Sequence, residues 1–342
     1  MELIEMLKIL CAAPSISGCE TAAADAVNRC AKDAGLVFAP DGAAGSLKAT
    51  LNPEAEAENG VLLLAHADKI GAMVTGIDEA TGFLRIAPVG GMDARVAPAA
   101  RVTVYGKTAL PGVIVSTPPH LMKADDAKKA LPLEKLTVDC GLPYKEICEI
   151  VSPGDRIGFC EPLLALAGGK VASPYLDNCA SIAAVLMAAE ALQGKTDRRV
   201  EIVLSAREET GKAGAVTSAF NSRCPVAVAV DVTFAAAPGV KETESAPMGS
   251  GARIAFSPIL TRRISDGMIA AAKKAEVPYT VEVMGRHTGT DADVAGTAGS
   301  GKAMGLVSIP IRSMHTPVET VQLSDIEATA KTLAAYITEG AE

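Results

Sequence analysis

Val200-Glu201-Ile202-Val203-Leu204-Ser205-Ala206-Arg207-Glu208-Glu209-Thr210-Gly211 is the stretch that decides how the chain is read. Its first six residues form a short apolar run of the kind that becomes a buried strand. The run leads into two adjacent carboxylates, Glu208 and Glu209. Burying bare carboxylates is very costly, so the pair calls for a cation or a polar cleft. The carboxyl end of a strand in an open α/β sheet is also where a ligand site is expected. The working hypothesis gives the two residues different tasks: one takes a proton, the other binds metal. Glu-Glu pairs are common on solvated surfaces too, so the hypothesis depends on partners elsewhere.

The chain on either side alternates in the same way. Downstream, the pattern predicts a helix from about Ala213 and a strand over Val226–Val232 that carries Asp231 near its end. A helix near Ile264–Ala275, a strand at Tyr279–Met284, a short helix after Asp291 and a strand at Met304–Ile309 follow. The last helix is predicted to start at Ser324, with Glu327 three residues on as a capping box. Upstream, a helix over Asn178–Gln193 stops at Gly194. Helices are predicted over 2–11 and about 20–34, and extended segments near Leu47–Leu51 and Val61–Ala65. From about 69 to 167 the texture changes to Gly, Pro and short β-rich runs such as Arg101–Tyr105 and Gly112–Val115. That spacing points to a small β-barrel-like or sandwich unit, with one helical patch near Ala124–Ala130. The expected fold class is α/β, with the α/β domain split by an inserted β domain.

Composition narrows the function. A length of 342 residues suggests roughly two domains. Aromatic residues are 3% and Trp is absent, so the core must be aliphatic. A net charge of −8 and the lack of a long basic run argue against nucleic acid as a partner. The longest apolar runs, such as Ala180–Leu192, are too short and Ala-rich to span a membrane. The acidic opening Met1-Glu2-Leu3-Ile4-Glu5 is unlike a secretory signal, which leads to a cytoplasmic expectation. Eight cysteines between Cys11 and Cys224 form no CxxC pair, and in a reducing compartment most read as small core residues.

Several chemical residues fall at predicted strand ends or a helix start. His66 and Asp68 follow Val61–Ala65, Asp177 precedes the Asn178 helix, and Asp231 and His315 sit at or after later strands. In a mostly parallel sheet such ends gather on one edge. Two His with several Asp and Glu match a pair of Zn²⁺-like ions. Each residue also has a plain structural reading: a lone His is commonly a hydrogen-bonded structural group, and Asp177 could be only an N-cap. Their recurrence at one kind of position favours a site. His120, in a Pro-rich turn, and His287, in a Gly-rich loop, are not read as ligands, although a loop His could touch substrate.

Ordered stretches along nearly the whole chain carry a more specific signal. They include SISGCE at Ser15–Glu20, LLLAHADKIGAMVTGID at Leu62–Asp78, PVGGMDARV at Pro88–Val96 and GVIVSTPPH at Gly112–His120. SPYLDN at Ser173–Asn178, EETGKAGA at Glu208–Ala215, VDVT at Val230–Thr233, GTDAD at Gly289–Asp293 and IPIRSMHTPVE at Ile309–Glu319 continue the series. In order, spacing and content they resemble the metallopeptidase family 42 aminopeptidases, the glutamyl or tetrahedral aminopeptidase group also called cellulase-like or endoglucanase-like. The resemblance implies a mixed-sheet α/β/α zinc-peptidase-like catalytic domain in two parts, 1–68 and 168–342, interrupted at 69–167 by an inserted β-barrel-like oligomerisation domain. It implies two divalent metal ions per subunit, Zn or Co with Mn possible. By motif, His66, Asp177 and Asp231 would hold one ion, and Asp177, Glu209 and His315 the other. Glu208 would be the general base and Asp68 would orient the His66 imidazole.

In that chemistry a water acidified between the metals attacks the carbonyl, and Glu208 carries its proton to the leaving amine. The resemblance also implies short peptide substrates and self-assembly into a dodecamer with active sites facing an enclosed space. Two departures stand out: Lys69 after the HxD motif, where an acidic residue is usual, and Cys179 after Asp-Asn, where Arg is frequent. Lys69 would place a cation near the metal edge and alter substrate charge preference or metal affinity. They keep open a divergent member with degraded activity, and an amidohydrolase of acyl-amino acids would use the same metals. A glycosidase needs two carboxylates about 5–10 Å apart, commonly with aromatic platforms, and the absence of Trp and the metal-shaped ligand set argue against it.

Overall fold

The structure, a computed structural model, describes residues 1–122 and 129–339. The helical patch expected near Ala124–Ala130 lies largely outside the described residues. Helices α1 (Leu3–Ala12) and α2 (Ala24–Ala31) open the chain, with Met6, Leu7 and Leu10 of α1 buried. Strands β1 (Ala39–Asp41), β2 (Ser46–Leu51) and β3 (Val61–His66) follow. Every residue of β3 is buried, as expected of a strand covered on both faces.

Six strands then close into an antiparallel barrel: β4 (Gly71–Ile77), β5 (Leu84–Val89), β6 (Arg101–Tyr105), β7 (Ala109–Val115), β8 (Thr137–Asp139) and β9 (Arg156–Phe159). Val102 and Val104 are buried while Arg101, Thr103 and Tyr105, which alternate with them, are not, the pattern that fills a small barrel from inside. Helix α3 (Tyr144–Ile150), just before β9, is absent from the sequence reading. It is seven residues long and buries only Ile147, too little periodicity to be detected.

The rest of the chain builds the main layer with β10 (Leu164–Leu166), β11 (Lys170–Ser173), α4 (Leu176–Leu192), β12 (Val200–Ser205) and α5 (Ala213–Asn221). It continues through β13 (Val226–Phe234), β14 (Ala252–Phe256), α6 (Arg262–Lys274), β15 (Tyr279–Val283) and α7 (Ala292–Ala295). It closes with β16 (Ala303–Arg312), β17 (Glu319–Gln322) and α8 (Leu323–Glu339). The eleven-stranded sheet runs β1-β2-β12-β3-β13-β16-β17-β11-β10, with β14 and β15 attached through β16. Its centre, β12-β3-β13-β16, is parallel and strands β2, β14 and β17 join it antiparallel, so the sheet is mixed as expected.

Alternate β3 residues serve opposite layers. Leu63 joins the core built with α1, α4, α6 and α8, while Leu62 and Leu64 join the one built with α5 and α7. The result is an α/β/α stack. Helix α4 is apolar nearly all round because it lies between the sheet and α1 and α8. Among the described residues, no helix is long and apolar enough to cross a membrane.

Three local expectations are corrected. Strand β13 runs on to Phe234, so Asp231 lies within the strand and not at its end. Helix α8 begins at Leu323, so Ser324 is inside it and no capping box forms there. Asp325 instead accepts the Gly249 and Gly251 N–H groups at 2.7 and 2.8 Å. Lys69 does not reach the metal edge. It is 2% exposed, and its Nζ donates to the carbonyls of Leu10, Cys11 and Ala13 at 2.8, 3.0 and 2.6 Å, under the Tyr175 ring. Those carbonyls belong to the C-terminal end of α1, where few helical N–H groups remain to meet them and the helix dipole is negative. All three ammonium protons are used. Cys179 is likewise buried, beside Cys11 and away from the cavity described below.

Replacing this ammonium removes a charged donor from three buried acceptors: the Leu10 and Ala13 carbonyls keep the N–H groups of Ala13 and Ser15, and the Cys11 carbonyl is orphaned. Lys69→Met should therefore cost about 3 kcal/mol in urea unfolding at unchanged m-value. A loss below about 0.5 kcal/mol would show that water replaces the ammonium without penalty.

Candidate active site

The parallel centre of the sheet sets the positions of the chemical residues. His66 ends β3 and lies opposite Ser205 of β12 in register, so Glu208 and Glu209 emerge beside it. Asp231 of β13 lies opposite Ser308 of β16, and His315 follows β16. Asp177 enters from the start of α4, where its backbone is not helical. The bland N-cap reading does not apply, because α4 has no side-chain cap.

These elements bring together six of the seven residues singled out in the sequence around one point. His66 Nε2 is 2.9 Å from Asp177 Oδ1 and 3.8 Å from Asp231 Oδ1. His315 Nε2 is 3.3 Å from Asp177 Oδ2 and 3.4 Å from Glu209 Oε1. The two oxygens of Asp177 thus face one histidine each. Among the described residues three triads have all ligand atoms within 4.8 Å of one another: His66–Asp177–Asp231, Asp177–Glu209–His315 and His66–Glu208–Glu209. Glu208 lines the same cavity of about 490 Å³, whose wall also includes Phe234, Glu282, Met284 and Thr290. His120 and His287 do not line it.

The seventh residue, Asp68, acts mainly through other atoms than expected. The His66 Nδ1–H donates to the Asp68 backbone carbonyl at 3.0 Å, and the Asp68 Oδ1 stands at 3.5 Å. The Asp68 carboxylate accepts the backbone N–H groups of Glu208 at 2.9 Å and Glu209 at 3.1 Å. One residue therefore fixes the imidazole and the Glu-Glu pair together.

Three further residues had been quoted in motifs without a role. Glu319, 1% exposed, accepts the Asp177 N–H at 2.9 Å and the His315 N–H at 2.7 Å. Asp291, also buried, accepts the Ser205 hydroxyl. Burial, with Glu208 adding to it, pushes the Asp291 carboxyl up to about 7. Lys212 stands with its Nζ 2.9 Å from Glu208 Oε1. A carboxylate three or four residues beyond a candidate ligand is the only sequence signal for Glu319, and it is a weak one. Non-glycine residues with positive φ cluster here, at Tyr175, Arg207, Lys212 and His315. Such backbone is costly and concentrates where a site requires it.

The barrel also presses on the site through the β5–β6 connection. Gly91 accepts the His315 Nδ1–H at 3.2 Å, and a Cβ on Gly91 would lie 2.7 Å from that nitrogen. Gly90, at φ +72°, would meet Glu209 at 3.2 Å. Only glycine permits this approach.

Electrostatics reveal what the cluster lacks. Burial disfavours a charged His66, yet Asp177, Asp68 and Asp231 hold its pKa well above the ordinary value. Asp177 and Glu209 raise His315 to about 11. Burial pushes Asp231 and Glu209 upward, whereas Asp177, despite its burial, is held below the ordinary range by His315 and His66. The carboxylates around the two imidazoles favour positive charge there, which a bound cation would supply. Imidazole and carboxylate are suitable ligands for Zn²⁺, Co²⁺ or Mn²⁺, so the residues present fit two divalent ions.

Fold and side chains together have the form of a metal-dependent hydrolase. The chain belongs to the M42 glutamyl aminopeptidase family, whose model matches residues 45–332, and it is a peptide-bond hydrolase. It is 35% identical over 285 residues to the lysyl aminopeptidase of Pyrococcus furiosus, covering 82% of this chain and 81% of that one. Aminopeptidase APDkam598 from Desulfurococcus kamchatkensis superposes with a TM-score of 0.90 at 30% identity, covering 99% of this chain and 95% of that chain. The Pyrococcus horikoshii TET1 peptidase, which can assemble into a tetrahedron or a large octahedral shell, has a TM-score of 0.83 at 30% identity over 98% of each chain.

Two measurements follow from this geometry. Gly91→Ala should lower metal retention at His315 about tenfold while leaving the fold intact, as read by metal analysis after dialysis alongside circular dichroism. Full retention would show that the loop yields to the added methyl. Loading the metal-free protein with Zn²⁺ at pH 7 should release protons, because cations displace them from His66 and His315, and affinity should rise with pH. Calorimetry in two buffers of different ionisation enthalpy reads the release. Heats independent of buffer would mean that the groups are already deprotonated.

Proposed function

We propose that the protein is a di-metal aminopeptidase that removes N-terminal residues from short peptides. The observation that carries this reading is Asp177, whose two carboxylate oxygens face His66 and His315 separately inside a cavity that also holds Glu208. His66, Asp177 and Asp231 would hold one ion, and Asp177, Glu209 and His315 the other. Bound there, divalent metal supplies Lewis acidity that polarises a carbonyl and acidifies a water. Zn²⁺ or Co²⁺ suits the imidazole and carboxylate donors, with Mn²⁺ also compatible.

Glu208 is the general base. Its Oε1 is buried and has no hydrogen bond of good geometry, so it retains the capacity to accept a proton. It takes the proton of the attacking water and returns it to the leaving nitrogen. Asp68, through the N–H groups of Glu208 and Glu209, fixes where that carboxylate stands. The acidic lining favours a cationic α-amine in the cavity, which supports cleavage from the N-terminus. The cavity has the volume of a small-ligand site, in keeping with short substrates. Assembly into a homo-oligomer, a dodecamer by likeness, is supported by the shells formed by the TET1 peptidase.

Metal-stripped protein reloaded with Zn²⁺, Co²⁺ or Mn²⁺ should hydrolyse members of an aminoacyl-p-nitroanilide panel. Glu208→Gln should lower kcat at least about 10³-fold with metal still bound, whereas Asp177→Ala should lose metal. A wild-type rate in Glu208→Gln would remove Glu208 from its role. Bound metal with silence across the panel would turn the assignment toward acyl-amino acids.

A further inference from the structure

Six carboxylate residues line the cavity, and among the described residues Lys212 is the one lysine or arginine that lines it with them. It stands at the turn before α5 with φ 62°, and its side chain is one-fifth exposed, so the ammonium lies along the cavity wall. Nζ is 2.9 Å from Glu208 Oε1 but outside hydrogen-bond geometry. Burial works against its charge, and Glu208, then Asp293 and Asp291, outweigh that and keep it protonated. Lys212 is thus a charged group, loosely paired, on the flank of the proposed base.

Its position relative to substrate follows from the task of Glu208. To return a proton, a Glu208 oxygen must come within about 3 Å of the leaving nitrogen. The ammonium, bound to the same carboxylate, is then within about 6–8 Å of that nitrogen. In a dipeptide the terminal carboxylate carbon is two bonds from the leaving nitrogen, about 2.5 Å away. When the leaving residue turns toward Lys212, its carboxylate comes within ion-pair reach of Nζ. In a longer peptide or an amide the same position is a neutral carbonyl. When Glu208 takes up the water proton it loses its charge, and Lys212 loses its first partner. A substrate carboxylate nearby compensates at that moment, an interaction that strengthens along the reaction coordinate.

We propose that Lys212 binds the carboxylate of the leaving residue, so that free dipeptides are the preferred substrate class of this site. The inference rests on the aminopeptidase reading above.

The test compares kcat/KM of the metal-loaded enzyme for three substrates sharing an N-terminal residue accepted in the arylamide panel: Xaa-Gly, Xaa-Gly-amide and Xaa-Asp-amide. Wild type should favour Xaa-Gly over its amide about tenfold, the worth of one charge-assisted contact. That ratio should shrink with added salt. It should fall to about one in Lys212→Met and recover in Lys212→Arg, whatever either variant does to kcat on the amide. An acid-to-amide ratio near one in wild type, or a ratio unchanged in Lys212→Met, overturns the role of Lys212. If Lys212→Met does not fold, the wild-type ratio and its salt dependence decide alone. Preference for Xaa-Asp-amide without preference for Xaa-Gly overturns the dipeptide assignment in favour of an acidic side chain. Silence on all three substrates and on the panel fails the aminopeptidase reading itself, and the inference with it.

Discussion

Asp177 shares its carboxylate between two imidazoles, and most of the molecule is arranged to make that possible. Six acidic residues in one cavity repel each other and resist burial, so a fold that gathers them must supply opposing charge or donors. Part of the compensation comes from His66 and His315, whose affinity for a proton the neighbouring carboxylates raise. Part is backbone: Asp68 and Glu319 each collect two N–H groups from the segments that carry candidate ligands. A cation would complete what these groups provide incompletely.

The architecture explains why the residues come from such distant parts of the chain. Parallel strands run toward one edge together, so His66 at the end of β3, Asp231 in the last half of β13 and the Glu208–Glu209 pair after β12 meet without long loops. Asp177 and His315 need a different device, since neither is at a strand end. Glu319 ties their backbones together, linking α4 to the segment after β16. The barrel contributes through Gly90 and Gly91, whose lack of a side chain lets the β5–β6 connection lie against Glu209 and His315.

What could be read from the sequence followed from periodicity and from residue type at strand ends. The continuous apolar runs of β3, β12 and β13 declared themselves as buried strands, and the acidic or His residues after them marked the edge. The short α3 did not, because one buried residue in seven leaves no pattern. Asp291 and Glu319 were invisible as functional groups because their partners are backbone N–H groups or a serine far away in sequence, which no local pattern encodes. Lys69 was misjudged for a related reason. Its neighbour Asp68 points to the site, but successive residues of an extended chain face opposite sides, so the lysine enters the core.

The Lys69 contact gives the amino-terminal helix a standing that its position in the chain conceals. Three carbonyls at the end of α1 are held by a side chain one peptide bond from Asp68, and Asp68 in turn holds Glu208 and Glu209. Lys69 N–H also donates to Ser15, and Ser17 N–H donates back to Lys69. The first seventeen residues are thereby a buttress for the hydrolytic machinery. A fusion partner or truncation that lifts α1 off α4 would free Lys69 and so reach Asp68, which holds the backbone of Glu208 and Glu209.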